Sequence, residues 1–393
     1  MTEKESVSRR EFIKRAAIAG VGITLGAYGL SRLLKEDTSD SPSSSDSQPV
    51  EDSGLWKWSR EGYHYITLGE NVKCQVCPNE CILREGQRSV CRNKTNYKGV
   101  LYTLAYGNPC AVHIDPIEKK PLFHFLPSTA VFSIATAGCN LRCLNCQNWE
   151  ISQKSPEETS NGELFPGQVV ENAEQSGCQS IAYTYSEPTA WYEYMYDTSK
   201  LAAHNGIKNV WVTNGYMNEN PLRDLCQYLD AANVDLKSFR EEIYNTLNSG
   251  MLEPVLNTLK ILKEEGVWFE VTNLMVPTWT DDMEMIAEMC QWLYQNVGSD
   301  YPLHFSRFHP DYKLLNLPPT PYETLKEARQ VALDAGLHYV YIGNVPNAEE
   351  QNTYCPHCEK LIIERKGFFV TEMHVRESMC EFCGGEIKGV WTP

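Results

Sequence analysis

Three closely spaced cysteines that follow a strand-like run at residues 131–136 constrain this chain more than any other feature. They are Cys139, Cys143 and Cys146, in the spacing Cys-x3-Cys-x2-Cys. Three thiolates cannot saturate a cubane of four irons, so one iron stays open to a small molecule, whereas a cluster with four cysteine ligands is closed and carries electrons. The spacing therefore predicts a 4Fe-4S cluster with one open iron. A zinc site or a cluster of another kind is the alternative.

The chain around and after this motif alternates between strand-like and helix-like runs. The strand-like runs lie at 131–136, 180–185, 208–213, 233–236, 268–276, 303–308 and 337–342. Helical patterns lie between them at 190–204, 253–265, 281–297 and 322–335. Alternation of this kind implies an α/β fold with a parallel sheet. The number of units predicts a partial (β/α)6-type barrel.

Polar residues recur just after the predicted strands, where parallel βα folds place their chemistry. Besides the cysteine loop, this set contains Ser186, Glu187, Asn214, Asp235, Lys237, Asn273, Arg307, His309 and Asn344. For any one of them taken alone, a solvated loop residue is the better explanation. Because they recur at one edge of the predicted sheet, we expect them to surround a common site.

Two further groups of cysteines have the short gaps of metal ligands rather than the pattern of a disulfide framework. The carboxyl-terminal group consists of two Cys-x2-Cys knuckles with 21 residues between them: Cys355, Cys358, Cys380 and Cys383. This is zinc-ribbon or rubredoxin-like spacing, and we expect structural zinc, since so small a module has little core of its own. The amino-terminal group has x2, x3 and x9 gaps: Cys74, Cys77, Cys81 and Cys91. These gaps fit zinc and an auxiliary iron–sulfur cluster equally well.

The amino terminus has the pattern of a twin-arginine export signal. Arg9 and Arg10 precede a short apolar run at 16–30, and a Ser/Asp/Pro-rich linker follows. An ordinary amphipathic terminus is the alternative. The chain carries a net charge of −16, and because its first 35 residues hold seven basic and three acidic side chains, the remainder carries −20. So acidic a body argues against a nucleic-acid partner, since binding to phosphates depends on positive charge.

The motifs taken together resemble the radical S-adenosylmethionine (SAM) enzymes of the pyruvate formate-lyase activating type, and most closely the radical enzyme of the AmmeMemoRadiSam system. The resemblance extends over about residues 70–385. Its motifs, besides the cysteines, are Asp-Pro-Ile-Glu-Lys-Lys-Pro-Leu at 115–122, Tyr-Thr-Tyr-Ser-Glu-Pro-Thr at 183–189, Thr-Asn-Gly-Tyr at 213–216, Val-Asp-Leu-Lys at 234–237 and His-Phe-Ser-Arg-Phe-His-Pro at 304–310.

The resemblance assigns roles to individual residues. It implies that Cys139, Cys143 and Cys146 bind the 4Fe-4S cluster and that Glu187 contacts the amino group of SAM. Thr213, Asn214 and Asn148 complete the implied cofactor site, and the implied catalytic residues are Asp235, Lys237, Arg307 and His309. The chain departs from the family at Tyr185 and Ser186, which replace two glycines, and at Asn145, which replaces an aromatic residue.

The implied reaction is reductive cleavage of SAM to a 5′-deoxyadenosyl radical, which abstracts hydrogen from an unknown substrate. The alternatives are an activase for a glycyl-radical enzyme, an electron-transfer iron–sulfur protein, and a zinc-ribbon adaptor without catalysis. The expected partners are a flavodoxin- or ferredoxin-like electron donor, a protein substrate or AmmeMemo-type proteins, and the twin-arginine export machinery. Lys119 and Lys120 fit either an anionic substrate or a solvated surface pair.

Five regions are predicted from this organisation. They are a leader at 1–35, a disordered linker at 36–54, an amino-terminal region with four clustered cysteines at 55–128, a radical SAM barrel at 129–345 and a zinc-ribbon-like module at 346–393. Two features give opposite indications of location. The leader favours export or membrane anchoring, whereas dependence on SAM favours the cytoplasm.

Overall fold

The structure is a computed structural model that describes residues 55–392, so the predicted leader at 1–35 and linker at 36–54 lie outside the described residues. Six short strands come first: β1 (Arg60–Glu61), β2 (Tyr65–Leu68), β3 (Asn71–Cys74), β4 (Ile82–Leu83), β5 (Lys94–Tyr97) and β6 (Val100–Thr103). They pair antiparallel in two small sheets, ordered β1-β6-β5 and β2-β3-β4. Their loops carry most of the amino-terminal cysteine group.

The central sheet has eight strands. They are β7 (Ala111–Pro116), β8 (Ala130–Ala135), β9 (Ser180–Tyr183), β10 (Lys208–Thr213), β11 (Ala231–Asp235), β12 (Trp268–Met275), β13 (Leu303–Arg307) and β14 (Val340–Gly343). The strands lie side by side in sequence order, and β8 to β14 are parallel. The edge strand β7 runs antiparallel to β8. The α/β fold with a mostly parallel sheet is thus confirmed, and its closure toward a partial barrel stays a prediction.

Eight α-helical segments accompany the strands in the described part of the chain. They are α1 (Trp149–Ser152), α2 (Pro166–Gln175), α3 (Tyr192–His204), α4 (Glu219–Cys226), α5 (Glu241–Ile243), α6 (Glu253–Glu264), α7 (Met283–Asn296) and α8 (Tyr322–Asp334). The side chain of Asp282 accepts a hydrogen bond of 2.8 Å from Met285 N and so caps α7. Gly336 ends α8 at φ +95°, a conformation that glycine adopts without strain. Among residues 55–392, no helix is long and apolar enough to span a bilayer.

Different parts of the chain cover the two faces of the sheet. On the outer face, Phe132 and Trp211 belong to one buried cluster with Leu222 of α4 and Leu325 of α8. On the inner face, a second cluster joins one residue from each of four strands to residues 117–126, which we call the floor segment. Its members are Val131, Ala182, Val210, Ala231, Ile117, Leu122, Phe125 and Leu126. The floor segment therefore covers the inner face at the end opposite the predicted site.

The carboxyl-terminal module consists of short antiparallel strands. They are β15 (Thr353–Tyr354), β16 (Leu361–Lys366), β17 (Phe369–Met373), β18 (Val375–Arg376) and β19 (Met379–Cys380). The end of the chain packs on the floor segment, because Leu126 N donates to Val390 O and Val390 N donates to His124 O, each at 2.7 Å. The buried guanidinium of Arg365 donates to Phe123 O at 2.8 Å. The module is thereby joined to the underside of the central sheet.

Most predicted elements are present, with shifted ends. The strand predicted at 180–185 ends at Tyr183, because Tyr185 adopts φ +64°, which an extended strand does not allow. The antiparallel strand β7 and the helices α2 and α4 were not predicted. Lys120 is 2 % exposed, so a solvated surface pair at 119–120 is wrong for Lys120.

Candidate active site

The three cysteines of the predicted cluster lie in the loop between β8 and α1, and amide groups surround their sulfur atoms. Leu141 N donates to Cys139 Sγ at 3.3 Å, and Asn248 Nδ2 donates to Cys143 Sγ at 3.2 Å. Hydrogen bonds to cluster thiolates are one of the means by which proteins set a cluster's reduction potential. The loop therefore offers both the ligands and the donors that an iron–sulfur cluster uses.

Burial and neighbouring charges shift the pKa values of these thiols. Burial raises the pKa of Cys139 well above its usual value, and the neighbouring carboxylate of Glu187 acts in the same direction. Burial also raises the pKa of Cys146, to about 11. Buried thiols ionise readily only when a cation balances their charge, and iron ions in a cluster supply that charge. Three thiols on one loop, with amide donors at two of their sulfur atoms, are the donor set that fits a 4Fe-4S cluster with one open iron.

Glu187 joins the loops after β9 and β10. Its Oε1 accepts hydrogen bonds from Thr189 N at 3.0 Å, Thr189 Oγ1 at 2.7 Å and Thr213 Oγ1 at 2.8 Å. Its Oε2 accepts one from Asn214 N at 2.8 Å. Burial raises the pKa of the Glu187 carboxyl, against the effect of these hydrogen bonds. Because a carboxylate has about four lone-pair sites, Oε2 retains an acceptor position for an ammonium group.

Two asparagines connect Glu187 to the cysteine loop. Asn214 Nδ2 donates to Asn140 Oδ1 at 2.8 Å and lies 3.8 Å from Cys139 Sγ. Asn140 Nδ2 in turn donates to Tyr216 O at 2.7 Å. Asn214 was predicted from the sequence, whereas Asn140 and Asn248 were not. An asparagine between cluster cysteines was the available signal for Asn140, whereas Asn248 lies in a π-helical turn, Tyr244–Asn248, far along the chain.

Asn148, the fourth predicted cofactor residue, contacts the neighbouring loop. Its Nδ2 donates to Tyr185 O at 2.8 Å, which fixes the loop after β9 against the cysteine loop. Asn145, at the position where the family has an aromatic residue, is buried, and its Oδ1 has no hydrogen-bond partner within the described residues. Trp149 stacks on Tyr312 with ring centres 5.4 Å apart. The cysteine loop is thus held on several sides.

The predicted catalytic residues divide into two groups. Lys237 Nζ lies 2.8 Å from Asp235 Oδ2, and Tyr244 OH accepts a hydrogen bond from Lys237 N at 3.0 Å. Burial opposes the charge on Lys237, but Asp235 and Cys143 outweigh it and raise the lysine's pKa. Arg307 Nε donates to Thr320 O at 2.7 Å, and His309 is exposed on the loop beyond β13. Asp235 and Lys237 are therefore an ion pair near Cys143, whereas Arg307 is engaged with the chain's own backbone.

The amino-terminal cysteine region packs against the cysteine loop. Asn79 Nδ2 donates to Asn140 O at 2.7 Å, and Asn93 Nδ2 donates to Ala137 O at 2.6 Å. Gly138 has φ +96°, and a Cβ atom there would lie 2.6 Å from Cys91 O. Only glycine permits so close an approach. Any metal held by the amino-terminal group would therefore lie beside the catalytic loop.

The carboxyl-terminal cysteines form a compact ligand set. The sulfur atoms of Cys355, Cys358, Cys380 and Cys383 all lie within 4.8 Å of one another. Cys355 Sγ is 3.7 Å from Cys383 Sγ, and Cys358 Sγ is 3.9 Å from Cys380 Sγ. This group is able to hold one metal ion.

Comparison with known proteins agrees with this geometry. The profile described as the Radical SAM superfamily matches residues 133–290, which include the cysteine loop, Glu187 and Asp235. The chain belongs to this superfamily and is an enzyme of the radical SAM class. Membership implies a 4Fe-4S cluster and SAM as cofactors.

Three individual proteins illustrate the similarity. An uncharacterized protein of Methanocaldococcus jannaschii is 49% identical over 331 residues, which cover 84% of this chain and 98% of that protein. The pyruvate formate-lyase 1-activating enzyme of Escherichia coli K12 is 23% identical over 212 residues, covering 49% of this chain and 85% of the enzyme. A domain of a pyruvate-formate lyase-activating enzyme from Bacteroides vulgatus superposes with a TM-score of 0.38 at 16% identity, covering 42% of this chain and 99% of that domain.

Proposed function

We propose that the chain is a radical SAM enzyme of the pyruvate formate-lyase activating type, in the AmmeMemoRadiSam branch, with its cluster on Cys139, Cys143 and Cys146. When reduced, such a cluster supplies the electron that splits SAM into methionine and a 5′-deoxyadenosyl radical, which abstracts hydrogen from a substrate. The observation that supports this most is the continuous network of hydrogen bonds from Glu187 through Asn214 and Asn140 to the cysteine loop.

The surrounding residues have distinct proposed roles. Glu187 accepts the amino group of SAM at Oε2, a charge-assisted contact. Thr213 and Asn214, which Glu187 holds in place, face the ribose or the carboxylate. Asn148 keeps the loop after β9 in position. Asp235 and Lys237 lie where they can hold or move a proton next to the cofactor, and the exposed His309 is free to meet a substrate.

The metals of the two other cysteine groups are part of the proposal. We infer structural zinc at Cys355, Cys358, Cys380 and Cys383, supported by sulfur separations that suit four thiolates on a single ion. At the amino-terminal group, zinc would staple the loops, whereas an auxiliary cluster would lie next to the catalytic one and relay electrons. The contact between Cys91 O and Gly138 favours the relay.

The partners are proposed from the same resemblance. A flavodoxin- or ferredoxin-like protein would deliver the electron, and AmmeMemo-type proteins would act with the enzyme. The similarity to an activating enzyme of Escherichia coli favours a protein substrate as the second candidate, which would make the chain a glycyl-radical-enzyme activase.

The decisive experiment measures 5′-deoxyadenosine. Anaerobically reconstituted, dithionite-reduced protein should form it from SAM, and Cys143→Ala should abolish this product. The matched control is Cys290→Ala, which removes a buried thiol in α7 away from the cluster and should retain activity. Product formation by Cys143→Ala at the wild-type rate would show that the cysteine loop is not the catalytic ligand set.

A further inference from the structure

We propose that Lys119, Lys120 and Tyr185 form a binding site for the carboxylate or phosphate group of a small-molecule substrate, on the inner face of the central sheet. This inference rests on the proposed function, because it names the class of substrate that the same site would act on. The lysine pair belongs to the motif at 115–122 and has no role in the proposed cofactor site. The anion site gives the pair a function.

The site is a cluster of charges with a positive excess. Lys119 Nζ lies 2.7 Å from Asp115 Oδ1, and Lys120 Nζ lies 2.7 Å from Asp115 Oδ2. The hydroxyl of Tyr185 also donates to Asp115 Oδ2. Burial acts to raise the pKa of Asp115, but the hydrogen bonds from the two lysines outweigh it and hold that pKa well below its usual range. Two ammonium groups thus share one carboxylate, and the cluster itself keeps a net charge of one positive unit.

The surplus charge is in a place where an anion stabilises it strongly. The Lys120 side chain is 2 % exposed, and its Nζ lies 4.4 Å from the centre of the Tyr185 ring. Burial lowers the pKa of Lys120 to about 8, which the contact with Asp115 only partly opposes. The Lys119 side chain is 45 % exposed and connects the buried pair to solvent. An anionic group can therefore enter past Lys119 and be held by a partly dehydrated ammonium.

Tyr185 connects this cluster to the cofactor loops. Its backbone has φ +64°, a left-handed conformation that is strained for a residue with a bulky side chain. This conformation turns the side chain away from the strand direction of β9 and back toward Asp115. Its carbonyl meanwhile accepts the hydrogen bond from Asn148. Strain of this kind is retained where surrounding contacts enforce it, typically at functional sites. One residue thus links the cysteine loop to the lysine pair.

A further polar group on the inner face is available to a ligand. Ser133 of β8 is fully buried and pairs with His113 of β7. His113 lies two residues before Asp115 on β7, so the two side chains are on the same face of the sheet. Within the described residues, Ser133 Oγ makes no hydrogen bond of good geometry, and it lies close enough to the Tyr185 hydroxyl to interact with it. The His113 ring lies 5.7 Å from the Tyr185 ring, so both strands approach the same tyrosine. Because buried hydroxyls are normally paired, Ser133 is suited to donate to an anionic oxygen.

Anion binding can be measured directly on the reconstituted enzyme with SAM bound. Inorganic phosphate and acetate are titrated separately by anaerobic calorimetry. We expect millimolar binding of at least one of them, with a loss of tenfold or more in Lys120→Gln. Lys119→Gln should weaken anion binding several-fold. Because the Lys119 side chain is exposed, this variant should fold, and it tests the site if Lys120→Gln does not fold. Lys326→Gln, an exposed lysine on α8, is the matched control and should bind as the wild type does.

The outcomes separate this proposal from the proposed function. Preference for phosphate or for acetate identifies the anionic group of the substrate. No binding to the wild type, or equal binding by wild type, Lys120→Gln and Lys119→Gln, overturns the anion site. Formation of 5′-deoxyadenosine without substrate should be unchanged in Lys326→Gln, whose lysine lies outside the anion site. The wild type could instead form no 5′-deoxyadenosine and still bind the anion in a lysine-dependent way. That result would contradict the proposed radical reaction and support the anion site.

Discussion

At the scale of single residues, Glu187 shows how one carboxylate organises a cofactor site. It accepts hydrogen bonds from Thr189, Thr213 and Asn214, so it fixes two loops as well as offering an oxygen to SAM. Only the contact with SAM was predicted from the sequence motif. The role of Glu187 in fixing two loops is visible only from the geometry, since Thr213 and Asn214 come from β10 and the loop after it, 26 and 27 residues along the chain from Glu187.

Replacing Glu187 with alanine should weaken SAM binding by about ten- to a hundredfold, because a charge-assisted hydrogen bond contributes roughly 1.5–3 kcal/mol. Iron content should stay unchanged, since the cysteines are untouched. Equilibrium binding of SAM to the reconstituted protein is the measurement, and Glu171→Ala on the exposed surface of α2 is the control. Unchanged affinity would transfer the amino-group contact to Asp235.

His124 is a second residue whose environment determines its chemistry. Its Nδ1 lies 2.8 Å from Lys388 O, which can only accept, and its Nε2 lies 2.6 Å from the Tyr341 hydroxyl. Nδ1 therefore carries a hydrogen and donates it, and because burial keeps the ring neutral near pH 7, Nε2 accepts from the Tyr341 hydroxyl. Burial lowers the pKa of His124 to about 4; Arg365 and His304 act in the same direction, and Glu270 opposes them.

This shift makes stability depend on pH. Above pH about 6.5, the pKa of histidine in the unfolded chain, His124 is neutral in both the folded and the unfolded state. The free energy of unfolding then contains no penalty from this residue. As the pH falls toward 4, the unfolded chain binds a proton that the folded chain rejects, so the free energy of unfolding decreases. Between pH 7 and 5 the loss should be about 2 kcal/mol. Urea unfolding of wild type and His124→Asn measures it, and an equal pH slope in both would contradict this account.

At the scale of elements, the sequence predicts what local pattern encodes. The runs of β-branched and aromatic residues at β8, β10 and β12 and the apolar periodicity of α6 and α8 define those elements to within one or two residues. The direction of β7 is not readable, because a six-residue strand carries no signal of which neighbour it pairs with. The contacts among Asp115, Lys120 and Tyr185 join positions up to 70 residues apart, which no local pattern predicts.

The carboxyl-terminal module provides an element-scale prediction. Cys380→Ala should lose one equivalent of zinc and detach the module from the floor segment, because a module this small depends on its metal for folding. Iron bound by the cysteine loop should be retained. Metal analysis by mass spectrometry decides the matter, with Cys226→Ala in α4 as the control for loss of a buried thiol. Retained zinc with reduced iron would make this group a redox centre.

At the scale of the whole molecule, a buried ion pair joins the amino-terminal strands to the helical layer. Lys94 of β5 contacts Glu193 of α3, and their side chains are only 2 % and 1 % exposed. Glu193 Oε1 also accepts a hydrogen bond of 2.9 Å from Tyr63 N. The region that carries the amino-terminal cysteines is thus anchored to the outer layer of the central fold.

Lys94→Met should reduce the free energy of unfolding by about 3–5 kcal/mol, because it leaves a buried carboxylate without its counterion. The double variant Lys94→Met/Glu193→Leu should recover much of that loss. The exposed pair Lys57–Glu163, at 3.4 Å, is the control, and Lys57→Met should cost less than about 1 kcal/mol. Chemical denaturation of the metal-loaded protein measures all three. A loss no larger for Lys94→Met than for Lys57→Met would mean that the buried pair does not anchor this region.

The floor segment has a consequence for how such enzymes diversify. It is one continuous stretch of ten residues, 117–126, whereas the cofactor rim is assembled from loops after several strands. Mutations confined to that stretch can therefore change the inner face beneath the rim without disturbing the cysteine loop or Glu187. In this architecture, selection can therefore change the substrate that the enzyme binds while the cofactor chemistry is inherited unchanged.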